Sequence, residues 1–296
     1  MGVATKEMVN IPFPDLGSKK LKVLAYHEIS NIENFQNQIN FLQNHYNLIN
    51  IEQLRDFLSH NENLPEKPLL ITSDDGDISV YQKAFPILKK KKIPVAVFVI
   101  TELLNTTKPF WWDEIIYYLG EEKGNKKVWE VKEWTNHKRV KYLSSLRENR
   151  TQPEPSHRQL NSSEVLQMQK GGISICNHSH SHPMFNQCSK VEISEEMEES
   201  KKILDSLGLE SSVFAYPNGN YSINAENLLL QNGVKMAFLF DHRINKGKIN
   251  PLRISRLVVN DTTPMWKFKL IISGWHSLLL PMSRRIGKMI KSLKQV

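Results

Sequence analysis

Two aspartates, Asp74 and Asp75, stand side by side between the apolar run Pro68-Leu69-Leu70-Ile71-Thr72 with Ser73 and the glycine Gly76. The run reads as a buried strand, so both carboxylates sit at its mouth, where they repel each other and lose solvation. A cation or a shared proton relieves that cost. Gly76 allows the sharp turn that would aim both acids at one spot. The residues therefore predict one acid that binds a metal and one that handles a proton. The plain alternative is a surface turn in which the pair caps the next helix. Downstream, His178, His180 and His182 follow the apolar Ile173-Ser174-Ile175-Cys176. His178 and His182 would share a face on one helical turn, which suits two imidazoles on one ion. His180 would point elsewhere. Two histidines and one aspartate leave coordination positions open, the mark of a catalytic rather than a structural metal.

The order Asp74-Asp75-Gly76, then His178-Ser179 with His182-Pro183, then Phe214-Ala215-Tyr216-Pro217-Asn218-Gly219 resembles the polysaccharide deacetylases (carbohydrate esterase family four, the nodulation-deacetylase homology domain). The resemblance runs from about Lys22 to Val259. It implies a distorted, incomplete (β/α) barrel with about seven parallel strands. It also implies Asp75, His178 and His182 as the metal triad and Asp74 as the general base. The backbone N–H of Tyr216 would help hold the oxyanion, and Pro217 and Asn218 would lie against substrate. Zinc is the expected ion, and cobalt, nickel and manganese suit the same donors. The substrate implied is an N-acetylated glycan, free or lipid-linked.

The resemblance has departures. The late Leu-x-His segment that supplies the acid in many members reads Leu252-Arg253-Ile254-Ser255-Arg256-Leu257 here. The opening Tyr26-His27-Glu28 instead resembles the poly-N-acetylglucosamine deacetylases, whose acid lies on the first strand, so His27 is expected to protonate the leaving amine. Its alternative is a packing role. Ser73 and Asp77 replace aromatics, and Ala215 stands where an arginine commonly holds the base. Arg256 is expected to hold Asp74 instead, because guanidinium pairs well with carboxylate. These changes leave a catalytically silent sugar-binding relative as the competing reading.

The elements that must position these groups alternate. Strands are expected at Leu21–Tyr26, Pro68–Asp74, Ile93–Ile100, Ile173–Cys176, Val213–Tyr216, Val234–Phe240 and Leu252–Val259. Helices lie between them: from a Ser30–Glu33 capping box to about Tyr46, then Ile51–Phe57, Ile78–Lys90, Asn161–Lys170, Val191–Leu207 and Ala225–Gln231. That rhythm alone favours an α/β barrel or a doubly wound sheet. Residues 101–160 break it as an insertion over the site, in which Trp111 and Trp112 either stack on a sugar or anchor the insertion.

At 296 residues, with 40% hydrophobic and 24% charged residues, the chain can bury a full core. The net charge of +8 fits an anionic partner without naming one; no recognition motif accompanies it, and nucleic acid is not expected. Cys176 and Cys188 are too few for a disulfide framework, and Cys176 reads as a small buried filler. Residues 1–20 read as an extension without a signal-peptide core, and no apolar run is long enough to span a bilayer. The expected location is the cytoplasm, with the inner face of the membrane as the alternative. Residues 261–296, with Trp266, Trp275 and the basic Arg284, Arg285, Lys288, Lys291 and Lys294, either contact an anionic membrane or pack on the domain.

Overall fold

The structure, a computed structural model, describes residues 20–60, 62–149 and 152–276. The first unit is β1 (Lys22–Tyr26), α1 (Ile32–His45) and the two-residue β2 (Asn47–Leu48), followed by α2 (Ile51–His60) and β3 (Pro68–Ser73). Next come α3 (Phe85–Lys91) and β4 (Val95–Val99). The insertion folds as α4 (Trp111–Leu119), α5 (Glu121–Val131) and α6 (Asn136–Glu148). The rhythm resumes with α7 (Ser162–Lys170), β5 (Ile173–Asn177), α8 (Lys190–Ser206), β6 (Glu210–Ala215), α9 (Ile223–Gln231), β7 (Met236–Phe238), β8 (Leu257–Val258) and α10 (Met265–Ser273).

All strand pairings are parallel, in the order β7-β6-β5-β4-β3-β1-β8, with β2 added beside β3. Seven strands thus form the curled sheet of an α/β distorted barrel. Its two ends approach each other at a single bridge between Phe238 and Ile254. The central strands read as continuous apolar runs because both faces are covered. Leu24, Ile71 and Val97 alternate outward to pack under the helices. Val23, Leu70, Ala96, Phe98, Cys176 and Phe238 fill the barrel interior. Cys176 is the buried filler expected of it.

Several boundaries differ from the sequence reading for local reasons. The cap of α1 is Asn31, whose side chain accepts from the Asn34 N–H; Ser30 is drawn instead to Asp261, which accepts from its N–H and its hydroxyl. The helix expected over 78–90 opens with a wide π turn at Val80–Ala84. Pro86 follows in the first turn of α3, and a proline without an N–H cannot continue an i→i−4 ladder. The Asn161–Glu164 capping box on α7 is present as read.

The insertion has a small core of its own, with Trp111, Ile115, Val128, Val131, Leu143 and Met184. In α10, Phe268, Ile271 and Ile272 are buried in the outer layer while Trp266 is exposed, so this part of the C-terminal segment packs on the barrel. Residues 1–19 and the basic Arg284, Arg285, Lys288, Lys291 and Lys294 lie outside the described residues. Among the described residues no helix is long and apolar enough to cross a membrane.

Candidate metal and catalytic site

The two adjacent aspartates are parted by the turn that follows β3. Asp74 still belongs to the sheet: its N–H donates to the Tyr26 carbonyl at 2.9 Å. Asp75 (φ 69°) and Gly76 (φ 71°) are then both left-handed. A Cβ on Gly76 would meet Val99 Cγ1 at 3.0 Å, so the turn requires glycine there. Asp74 consequently stays in the barrel interior, and Asp75 swings toward the loop after β5.

That loop is not the helical turn expected from the spacing of the histidines. His178 still pairs with the sheet, its N–H donating to Val99 O. The chain then reverses through two left-handed residues, Ser179 (φ 68°) and His182 (φ 55°). Side chains hold the reversal: Asn177 Oδ1 accepts from the Ser179 N–H, Ser179 Oγ accepts from the His182 N–H, and Glu196 accepts from the N–H groups of His180 and Ser181. The loop, not a helix face, brings His178 and His182 together.

Asp75, His178 and His182 each offer one ligand atom, all within 4.8 Å of one another. Asp75 Oδ1 lies 3.3 Å from His178 Nε2 and 3.4 Å from His182 Nε2. His178 Nδ1 lies 2.9 Å from the Ala215 carbonyl and donates its hydrogen to it, the outer contact that orients a metal-ligating imidazole. In the neutral ring Nε2 then turns a lone pair toward Asp75 Oδ1, itself buried and without a hydrogen-bond partner among the described residues. Converging lone pairs need a cation or a proton between them. Burial alone would lower the His178 imidazole, yet its contact with Asp75 raises it. Burial would raise Asp75, and His178 with the neighbouring charges holds it well below the usual carboxylate range. Burial pushes His182 down to about 3, keeping it in the neutral form that ligates. These residues fit a divalent ion, and their nitrogen and carboxylate donors suit zinc or its transition-metal neighbours.

Asp74 receives two parallel bonds from Arg256, Nη1 to Oδ1 at 2.6 Å and Nη2 to Oδ2 at 2.7 Å. Arg256 is fully buried, with Nε on the Leu239 carbonyl and Nη1 also on Thr72 Oγ1. Burial would raise Asp74; the Arg256 charge and hydrogen bonds outweigh it and hold the carboxyl low. The arginine absent at Ala215 is thus supplied from the residue just before β8, the strand expected over Leu252–Val259 forming only at Leu257–Val258. His27 is half-buried just past β1, its ring 5.3 Å from Phe240 edge-on. Ser73 Oγ donates to the His27 carbonyl, so the serine that replaces an aromatic ties β3 to the histidine-bearing end of β1.

Asp74, Asp75, His27, His178 and His182 line one cavity of about 520 Å³. Three expected substrate or oxyanion contacts are placed differently. The Tyr216 N–H already donates to the Phe238 carbonyl at 3.0 Å, and its ring is buried away from the cavity, so it cannot serve an oxyanion. Pro217 is buried and is not among the residues that line the cavity. Trp111 is the anchor: its Nε1–H donates to the His182 carbonyl at 3.2 Å inside the insertion core. Trp112 and Asn218 do line the cavity. Trp112 lies edge-on to His182, with centroids 4.8 Å apart, and parallel to Phe110 at 4.9 Å. Gly219, next to Asn218, has φ +72°, and a Cβ there would sit 2.5 Å from Phe240 N. Gly219→Ala is expected to cost about 2 kcal/mol, read as a lowered Tm.

Four cavity groups escaped the sequence reading. His157 Nε2 lies 3.1 Å from Asp77 Oδ2, so Asp77 joins the insertion to the turn after β3. Lys132 Nζ donates to Asn218 Oδ1 at 3.1 Å. Burial pushes Asp113, in the first turn of α4, up to about 6. Asp77 was visible only as a departure, and nothing in the sequence of the insertion marked the other three.

The polysaccharide deacetylase family profile matches residues 61–237. The chain belongs to the polysaccharide deacetylase family. It is 24% identical over 212 residues to a putative polysaccharide deacetylase, YxkH, of Bacillus subtilis, covering 69% of this chain and 58% of that protein. It is 24% identical over 254 residues to the poly-β-1,6-N-acetyl-D-glucosamine N-deacetylase of Staphylococcus aureus, covering 81% of this chain and 70% of that protein. The deacetylase fold is shared with IcaB from Ammonifex degensii, with a TM-score of 0.63 at 21% identity over 86% of this chain and 97% of that one.

Proposed function

We propose that this polysaccharide deacetylase is a metal-dependent N-deacetylase of a β-linked N-acetylglucosamine glycan. The observation that carries the reading is one cavity holding the Asp75–His178–His182 cluster, an Asp74 kept ionised by Arg256, and His27. A divalent ion held by Asp75, His178 and His182 would polarise the acetyl carbonyl and acidify a water. Asp74 removes that water's proton as it attacks, a contribution of about 10²–10⁴ in rate. Its bidentate partner keeps it from taking the proton too early. His27 gives a proton to the departing nitrogen, and Trp112 offers a ring face to the sugar.

Glu28, Asp77, Asp113 and Asp261 line the same cavity. This negative lining suits a neutral glycan whose product is an amine, and it opposes a polyanion such as nucleic acid despite the chain's positive net charge. Arg256 answers the main objection to activity, the alanine at position 215.

The test is acetate release from a β-1,6-linked N-acetylglucosamine oligomer by zinc- or cobalt-loaded protein. Asp74→Asn is expected to lose about 10²–10⁴ in kcat while still binding the oligomer. Metal-loaded wild type that binds the oligomer and releases no acetate would reduce the protein to a sugar-binding relative.

A further inference from the structure

The positive charge of the chain is gathered toward its C-terminus. Residues 241–296 hold twelve lysines and arginines and two acids, a net +10; the rest of the chain holds the other 27 and 29 of its 39 and 31, a net −2. Such asymmetry points to a part of the surface that meets an anionic partner. Two of the twelve are committed to acids of the fold, Arg256 to Asp74 and Arg253 to Glu226.

Arg243, Lys246 and Lys248 gather with Lys20 and Arg253 around a second cavity of about 440 Å³, whose described lining contains no carboxylate. Ile244 and Ile249 give that lining an apolar part. The segment is fixed in place by Asn245. Its N–H donates to Leu21 O at 3.3 Å, its Nδ2 donates to Ser255 O at 2.9 Å, and its Oδ1 accepts from the Ser255 N–H. Lys20 precedes β1 and His27 follows it, so this cavity and the catalytic one lie at opposite ends of the strand, about 16 Å apart along it. The helix α10 joins the two ends: Asp261, ahead of it, lines the catalytic cavity, and Gly274, just past it, lines the basic one. From there the chain continues into residues 277–296, which add five cations, no acid and the apolar Leu278-Leu279-Leu280.

We propose that this basic end of the barrel docks on an anionic phospholipid membrane, with the cavity among Lys20, Arg243, Lys246 and Lys248 taking lipid phosphate. Clustered lysine and arginine are drawn to such a surface, each cation adding about fivefold to the binding constant. A guanidinium fork also matches phosphate oxygens. Isoleucines and a leucine run beside the cations fit an interface that is charged outside and apolar beneath. A nucleic acid would offer the charge without the apolar layer. Acids stand at the other end of β1, where Glu28, Asp77, Asp113 and Asp261 line the catalytic cavity. An anionic bilayer is therefore attracted at one end of the strand and repelled at the other. Docking in this orientation keeps the catalytic cavity facing water, open to a glycan chain there. It does not depend on the deacetylase reading, and it is measured without substrate.

The full chain is mixed with two sets of sedimenting vesicles, one of phosphatidylcholine alone and one of phosphatidylcholine and phosphatidylglycerol in equal parts. It is expected to sediment with the second set at low salt, to ignore the first, and to be released by high salt. The triple variant Arg243→Gln, Lys246→Gln, Lys248→Gln is expected to bind about 10²-fold more weakly. Its Tm and metal content should not change, because all three residues are exposed. Lys123→Gln, Lys126→Gln, Lys141→Gln removes the same charge from exposed positions on α5 and α6 and is expected to bind as the wild type does. Equal binding by the first triple variant and the wild type would remove the basic cavity from any docking. Equal weakening of both triple variants would mean that net charge alone is felt, and the site would fall. A wild type that ignores both sets of vesicles, or that prefers duplex DNA to the anionic set at matched salt, would overturn the membrane as partner.

Discussion

Replacing Arg256 by methionine is expected to destabilise the protein by about 3–5 kcal/mol, the cost of leaving one partner of a buried pair uncompensated. Asp74 would keep its place in the interior with neither guanidinium hydrogen bond. Leu239 O and Thr72 Oγ1 would each lose a donor as well. The effect belongs to the pair, so the double variant Asp74→Asn, Arg256→Met should recover a large part of the loss, and a double-mutant cycle in urea measures the coupling. Arg256→Lys should rescue little, because a point charge cannot make two parallel bonds to one carboxylate. The pH dependence has a defined sign. In the wild type the Asp74 carboxyl is depressed in the folded state, so its contribution is full above the unfolded carboxylate range and is lost as pH falls through the lower folded value. In Arg256→Met burial is opposed only by the charges of His178 and His27, so the carboxyl rises from its wild-type value and folding at neutral pH buries a poorly compensated charge. The stability gap between the two proteins should therefore be widest at neutral pH and narrow on acidification, its wild-type share being lost only below about pH 4 as the pH falls through the depressed folded value. A gap that does not change with pH would mean that Arg256 acts by packing alone.

The chemistry-bearing residues were legible in the sequence where they follow an apolar run directly, because a strand that ends in acid or imidazole has few other uses. This held for Asp74, Asp75, His178 and His182. Arg256 was legible by need: a buried Asp74 without an arginine at Ala215 called for a cation, and the last strand carried one. Both Arg256 and His27 lie outside residues 61–237, which match the family profile; the pairing of guanidinium with carboxylate pointed to Arg256, and the resemblance of Tyr26-His27-Glu28 to the poly-N-acetylglucosamine deacetylases pointed to His27. What stayed hidden depends on commitments made far along the chain. Nothing in Tyr216 says that its N–H is taken by Phe238, or that left-handed Ser179 and His182 replace a helical turn. Nothing in Trp111 and Trp112 says which ring faces the core; an adjacent pair at the start of a helix must point in different directions, and only the insertion's packing decides. Lys132 sits in a polar stretch whose pattern reports a solvated helix and His157 in the irregular segment between α6 and α7, and tertiary contact alone converts them into cavity groups.

Purified protein is expected to bind one divalent ion per chain, and Asp75→Ala and His182→Ala are each expected to abolish it. Losing an outer hydrogen-bond partner already costs about 10–100-fold in metal affinity, and removal of one ligand in three exceeds that. Asp75→Ala should be the more informative, because its carboxylate oxygen faces both imidazoles at 3.3 and 3.4 Å and supplies the only negative charge in the triad. Asp74→Asn should retain the ion, since Asp74 is turned to Arg256 rather than to the histidines. That contrast separates ligand from base without any knowledge of the sugar. Binding also appears as stability: an ion at a hundred times its Kd adds about 2.7 kcal/mol to the folded state. Zinc or cobalt should therefore raise the Tm of the chelator-treated wild type and of Asp74→Asn, and leave those of Asp75→Ala and His182→Ala where they were. Metal analysis of the four proteins, with thermal unfolding before and after adding the ion, makes the measurement. If the wild type takes up neither zinc nor cobalt, the convergence of Asp75, His178 and His182 is satisfied by a proton instead, and the hydrolytic mechanism loses its electrophile.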